Sequence, residues 1–288
     1  MPEPTPQRPE IHNTVDTQAF AVVAAPRSLW QKLYDSGAVR KTLLLVLLMI
    51  AWEVYARLLA NPLLFPTFSA TVSALLNALA SGELPRAAVT TLTLLFKGYL
   101  AGLVLAMLLT AFASMTRLGA DILETLTAMF NPLPSIAMLP LALIWFGLGD
   151  GSIIFVLIHA VLWAVALNAF TGFRSVSPTL KMVGRSYGLS RARFVLQILI
   201  PGAFPSILAG LKIGWAFAWR TLIAAELVFG VSSGSGGLGW YINESKNQLE
   251  IADVFAGLLT VIVFGLVFDN LVFGVIEKRT VRRWGMAN

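Results

Sequence analysis

Six stretches of the chain, 42–59, 88–114, 122–146, 153–173, 205–229 and 254–276, are apolar over close to the roughly 20 residues a helix needs to cross a bilayer. That repetition leaves few folds open. In hydrocarbon every backbone amide must find its partner inside the protein, so runs of this length fold as helices packed in a bundle. Composition agrees: 12% of the 288 residues are charged, against about a quarter in soluble domains, and the mean hydropathy is +0.77. The sequence is read as an all-α integral membrane protein with six transmembrane helices.

The charges orient those helices. Most of the 21 Lys and Arg residues fall at the chain ends or between alternate spans: Arg40 and Lys41, Arg117, the cluster Arg174, Lys181, Arg185, Arg191 and Arg193, and the run Lys278, Arg279, Arg282 and Arg283. Arg86 and Lys246 fall on the other side. The positive-inside rule then puts both termini in the cytoplasm. The same placement argues that the net charge of +6 reflects topology rather than nucleic-acid binding. Residues 1–28, rich in Pro, Thr, Gln and Ala, are expected to be a disordered cytoplasmic tail ahead of a transmembrane domain at 29–288. A short interfacial helix is expected at 29–34, with Trp30 and Tyr34 in the headgroup zone.

Several chemistries are excluded. The chain has no cysteine, hence no disulfide framework or thiolate metal site, and its two histidines, His12 and His159, cannot form a His-rich site alone. It contains no G-x4-G-K-[ST], H-E-x2-H or G-x-S-x-G pattern. Gly234-x-Gly236-x2-Gly239 matches the dinucleotide pattern formally but lacks a preceding soluble strand and a βαβ unit, so it is read as an external loop. An intramembrane enzyme would have only Glu226 and His159 to work with. An ion-coupled secondary transporter of a small organic anion remains the alternative to the reading that follows.

The longest polar interruption, residues 174–201, contains five basic residues and no acid. Ser177-Pro178 starts a helix, Gly188 breaks it, Ser190 starts a second and Pro201 ends that one before the next span. The spacing of Gly188, Ile198, Ile200 and Pro201 reproduces the later part of the loop EAA-x3-G-x9-I-x-L-P of ABC importer permeases. Ser186, Tyr187, Leu189, Ser190, Pro205 and the run Gly210-Leu211-Lys212 are similar to its nitrate/sulfonate/taurine branch. Met182-Val183-Gly184 stands where that family has Glu-Ala-Ala.

The resemblance implies a type I ABC importer permease (MetI-like) architecture in the bacterial inner membrane. It also implies a homodimer, two cytoplasmic ATPase subunits that bind the ATP and magnesium, and a periplasmic or lipid-anchored solute-binding protein. The chain itself would bind no cofactor and catalyse no bond chemistry. Met182, Arg185, Ser186, Gly188, Leu189, Ser190 and Pro201 would couple it to the ATPase, and the solute would be a small anion such as taurine, an alkanesulfonate or nitrate.

Within the spans, charged residues and prolines nominate the translocation path. Pro132, Pro134 and Pro140 remove backbone donors, and broken backbone at membrane depth is tolerated only against protein or a water-filled cavity. Pro134, Pro140, Trp145 and the following Gly-Leu-Gly also resemble the family pattern. Lys97, Arg220 and Glu226 each need water, a partner or an interface, since a charge at the bilayer centre costs roughly 2.5–3.5 kcal/mol on insertion scales. Six residues separate Arg220 from Glu226, so they point to different faces. Structural pairing and a role in the path are both open for all three. Glu53 and Arg57, at i,i+4, are expected to pair within their helix, Lys212 to reach the cytoplasmic surface, and His159 to be a packed residue. Gly98-x3-Gly102 is expected to pack helices closely.

Overall fold

The computed structural model describes residues 34–229 and 236–285. The expected tail and nearly all of the expected interfacial helix lie outside them, as does the first half of the Ser/Gly-rich loop 232–239. The chain forms two units, residues 1–52 and 53–288. In the first, the described residues carry the start of α1 (Gly37–Leu59).

The second unit holds the rest of the helices. After α1 come α2 (Phe68–Ala80), α3 (Glu83–Met115), α4 (Arg117–Phe130), a 3-10 turn (Ser135–Met138), α5 (Leu139–Phe146) and α6 (Asp150–Ser175). They are followed by α7 (Pro178–Ser186), α8 (Ile200–Phe229), α9 (Leu238–Asn247) and α10 (Ile251–Val267), which runs on through a π segment to Arg279. Among the described residues five helices are long and apolar enough to span a membrane, or six with the bent pair α4–α5 taken as one span. No strand occurs among the described residues.

The bundle is built around α6. Its Val156, Leu157 and Val161 are fully buried, and α3 and α8 approach it where glycines replace side chains. A Cβ on Gly98 would lie 2.5 Å from Leu157 Cβ, one on Gly102 2.8 Å from Val161 Cβ, and one on Gly210 2.7 Å from Asn168 Cβ. Lipid offers no hydrophobic drive between helices, so this backbone proximity supplies the dispersion contacts that hold the seams.

Two prolines act differently from the sequence reading. The predicted single kinked span 122–146 starts earlier, at Arg117, and turns by 88° between α4 and α5. Pro132 and Pro134 lie in that break, where they withhold amide donors; Asn131 keeps helical backbone, and the chain is extended at Pro134 (ψ 120°). Pro140 falls in the first turn of α5, where its missing N–H had no helical partner to lose. Pro201 does not end a helix, and the span does not restart at 205. Helical backbone runs from Arg191 through a π segment (Val195–Leu199) into α8, with Pro201 and Pro205 inside. The wide turn, in which the Ile200 N–H bonds the Val195 carbonyl, re-phases the ladder just before Pro201. Pro201 then occupies the first turn of the regular segment, where it costs least.

Candidate functional site

Three places carry polar chemistry: the loop 174–201, a cavity at the α4–α5 break, and a carboxylate under the start of α9.

In the loop, the Ser177 hydroxyl accepts a hydrogen bond from the Leu180 N–H, and Pro178 opens α7. Gly188 ends it with φ +64°. The Gly188 N–H bonds the Arg185 carbonyl at 2.9 Å and the Leu189 N–H the Gly184 carbonyl at 3.3 Å, a Schellman closure that requires the left-handed residue. Gly184 is buried: a Cβ there would stand 2.8 Å from the Phe194 ring. The third residue of Met182-Val183-Gly184 is thus the point where α7 rests on the following helix. The outer face of α7 carries Met182 and Val183, both exposed, with Arg185, Ser186 and Tyr187 beside them. Leu189 is half-buried and Ser190 exposed. Two of the basic residues are used internally. Arg174 bridges to Glu124 of α4 at 2.6 Å, and Lys181 Nζ donates to the Arg174 carbonyl at 3.1 Å.

A cavity of about 360 Å³ lies where the chain breaks between α4 and α5. Its wall includes Phe130, Pro134, Ser135, His159, Trp163 and Arg220. The Phe130 and Trp163 rings stack at 5.4 Å, 12° from parallel, and the His159 ring stands edge-on to both. Ser135 Oγ lies 3.1 Å from His159 Nδ1. His159 Nε2 and Trp163 Nε1 are buried without a hydrogen-bond partner among the described residues. Arg220, exposed on α8, has no hydrogen-bond or ion-pair partner among the described residues. Among the described residues no Asp or Glu lines the cavity.

Two of the five path candidates, Pro134 and Arg220, therefore share one wall; the other three lie elsewhere. Lys97 pairs with Asp150 at the start of α6, 3.2 Å away. Trp145 is exposed and packs edge-on against Phe155. Lys212 is bonded to Glu277 at 2.6 Å, and Glu53 to Arg57 at 2.7 Å and to the Ser69 N–H at 3.0 Å, at the start of α2.

Glu226 stands one turn from the end of α8 and is 3% exposed. Its carboxylate accepts from Thr91 Oγ1 and from the Gly239 N–H, each at 2.9 Å, while Thr91 Oγ1 accepts from the Leu238 N–H at 2.8 Å. A carboxylate and a hydroxyl from two spans thus satisfy the opening amides of α9, and the negative charge meets the positive end of that helix. Gly239 makes the approach possible: a Cβ there would stand 2.6 Å from Glu226 Cβ. Sequence reasoning missed Thr91 altogether. The signal available was a Gly-rich helix start following a span that ends with a buried acid.

Comparison with known proteins gives one family. The sequence pattern of the binding-protein-dependent transport system inner membrane component matches residues 98–282. This chain belongs to that family. Its members are transport components rather than enzymes, and the chain is a multi-pass inner-membrane permease. An ABC transporter permease of Methanocaldococcus jannaschii is 28% identical over 83% of this permease and 90% of its own length. The taurine transport system permease of Escherichia coli K12 is 34% identical over 51% of this permease and 52% of its own length. A second E. coli K12 permease, named for aliphatic sulfonate transport, is 29% identical over 60% and 64%. The family match runs from Gly98 to beyond the last long helix, so it includes the α3–α6 seam, the cavity and α7.

Proposed function

We propose that this permease is the membrane subunit of an ATP-binding-cassette importer for a small anionic solute of the taurine, alkanesulfonate or nitrate kind. It pairs as a homodimer in the lipid bilayer, with both termini in the cytoplasm. A solute-binding protein, periplasmic or lipid-anchored, delivers the solute. Two cytoplasmic ATPase subunits hold ATP and magnesium, and no nucleic acid is involved. The observation that carries the reading is α7: a short capped helix on a basic segment, its Met182 and Val183 turned outward and its Gly184 seated on Phe194.

In this scheme Met182, Arg185, Ser186, Gly188, Leu189 and Ser190 form the contact with the ATPase. Pro201, with the π segment ahead of it, connects that contact to α8. ATP-driven closure of the ATPases moves α7, and because Gly184 of α7 is seated on Phe194 of the helix that runs into α8, the movement reaches the span bearing Arg220. Such a hinged change between inward- and outward-facing states needs no bond chemistry from the permease. Substrates named for relatives support an anion, and so does the unpaired guanidinium of Arg220.

The test is co-expression with neighbouring ATPase and binding-protein candidates, solubilisation in detergent, pull-down and an ATPase assay. A Walker-motif subunit should co-purify and be lost when residues 182–193 are replaced by a Gly/Ser linker. A stable permease that retains no ATPase subunit would overturn the reading in favour of an ion-coupled transporter.

A further inference from the structure

The cavity between α4, α6 and α8 has features that a passive gap in a helix bundle lacks. Its position is central: His159 and Trp163 lie near the middle of the 26-residue α6, so the space sits at membrane depth. Its volume, about 360 Å³, falls within the range of small-molecule pockets, which begins near 300 Å³. That is far more room than a four-atom oxyanion fills. One side of the wall is apolar and aromatic, with the stacked Phe130 and Trp163 as its largest flat surface.

The charge pattern narrows the occupant further. Arg220 brings a cation to membrane depth with no acid among the described residues paired to it, whereas Lys97, Lys212 and Glu226 are all partnered. An unpaired charge there is costly, and a bound anion would offset it. His159 Nε2 and Trp163 Nε1 are buried polar atoms with no hydrogen-bond partner among the described residues, and a buried polar atom left unpaired is costly. Ser135, on the backbone freed by Pro134, is in hydrogen-bond contact with the same His159 ring. Among the described residues no carboxylate lines the cavity, so an ammonium group would find no opposite charge there.

We propose that this cavity is a binding site on the permease itself for an organic monoanion with an apolar body and no amino group, an alkanesulfonate rather than taurine or nitrate. The sulfonate lies against the Arg220 guanidinium, and the hydrocarbon lies along Phe130 and Trp163. The proline break between α4 and α5 opens the space for it. The inference rests on the importer reading for the direction of transport, but binding is a property of this chain alone.

Binding is therefore measured on the full-length permease in lipid nanodiscs, without ATPase or binding protein, by tryptophan fluorescence and calorimetry with butanesulfonate, taurine and nitrate. Butanesulfonate should bind at least tenfold more tightly than either of the others. Arg220→Gln should weaken it tenfold or more and Arg220→Lys should restore part of the loss. Trp163→Phe, which keeps the ring stack and removes the N–H, should weaken it less than Arg220→Gln. The ranking of the three ligands needs no variant, so a misfolded mutant leaves the test intact. Equal affinity for taurine, preference for nitrate, no butanesulfonate binding at all, or full affinity in Arg220→Gln would each overturn the proposal. ATPase co-purification fails or succeeds independently of these results, so the importer reading and the cavity assignment are separately refutable.

Discussion

Replacing Gly188 isolates the coupling loop from the rest of the bundle. Gly188 has φ +64°, and a Cβ built there meets nothing within 4 Å. A side chain at this position thus brings no clash, only the backbone cost of the left-handed conformation, about 1–2 kcal/mol for an ordinary residue. A β-branched residue fares worst and Asn best, because Asn tolerates this region. One or two kcal/mol corresponds to about a 5- to 30-fold fall in the ratio of closed to open loop. The two bonds at stake, Gly188 N–H to Arg185 and Leu189 N–H to Gly184, hold the end of α7 and nothing in the α3–α6–α8 seams. Gly188→Val should therefore lower uptake and stimulated ATPase activity, by up to that factor, in proteoliposomes carrying ATPase subunits and binding protein. The melting temperature in detergent should stay unchanged, and Gly188→Asn should fall between. Wild-type uptake and ATPase stimulation in Gly188→Val would refute the coupling role of this turn; a lowered melting temperature would refute the claim that the turn is independent of the bundle.

Thr91→Val and Glu226→Ala each orphan amides at the start of α9 and should cost about 1–3 kcal/mol apiece. Because both act on one network, the double variant should lose markedly less than the sum, as read by thermal unfolding in detergent. Additive losses would show that the two residues work separately. Gly98→Val puts side-chain atoms where Leu157 already stands, so it should destabilise by about 1–3 kcal/mol and lower the yield of folded protein on size-exclusion chromatography. Lys97→Met removes one end of an exposed ion pair with Asp150 and should change stability by less than about 1 kcal/mol; a larger loss, or lost uptake at full stability, would return Lys97 to the path.

The membrane class, the helix count and the first half of the loop 174–201, up to Gly188, were legible in the sequence because they rest on local chemistry. Long apolar runs have only one way to satisfy their amides in lipid. A Ser-Pro start and a glycine stop act within a few residues of themselves, so α7 and its turn at Gly188 stand where the sequence put them. The spacing of Gly98 and Gly102 likewise announced a close helix contact, though not that the partner would be α6.

Tertiary structure decided the rest. Nothing local tells Lys97 that Asp150, 53 residues away, will stand beside it, or Glu226 that its partners will be Thr91 and the amide of Gly239. Both are contacts across helices, set by which spans become neighbours. Prolines show the same division. Each removes a donor wherever it sits, yet Pro134 lies in an 88° break and Pro201 is carried inside a helix by the π turn before it. The cavity is the clearest case: Pro134, His159, Trp163 and Arg220 come from three separate stretches of the chain. Sequence alone determined that each would need a setting of some kind. Only the packing of α4, α6 and α8 made it a single one, because enclosing a space requires walls from several elements at once.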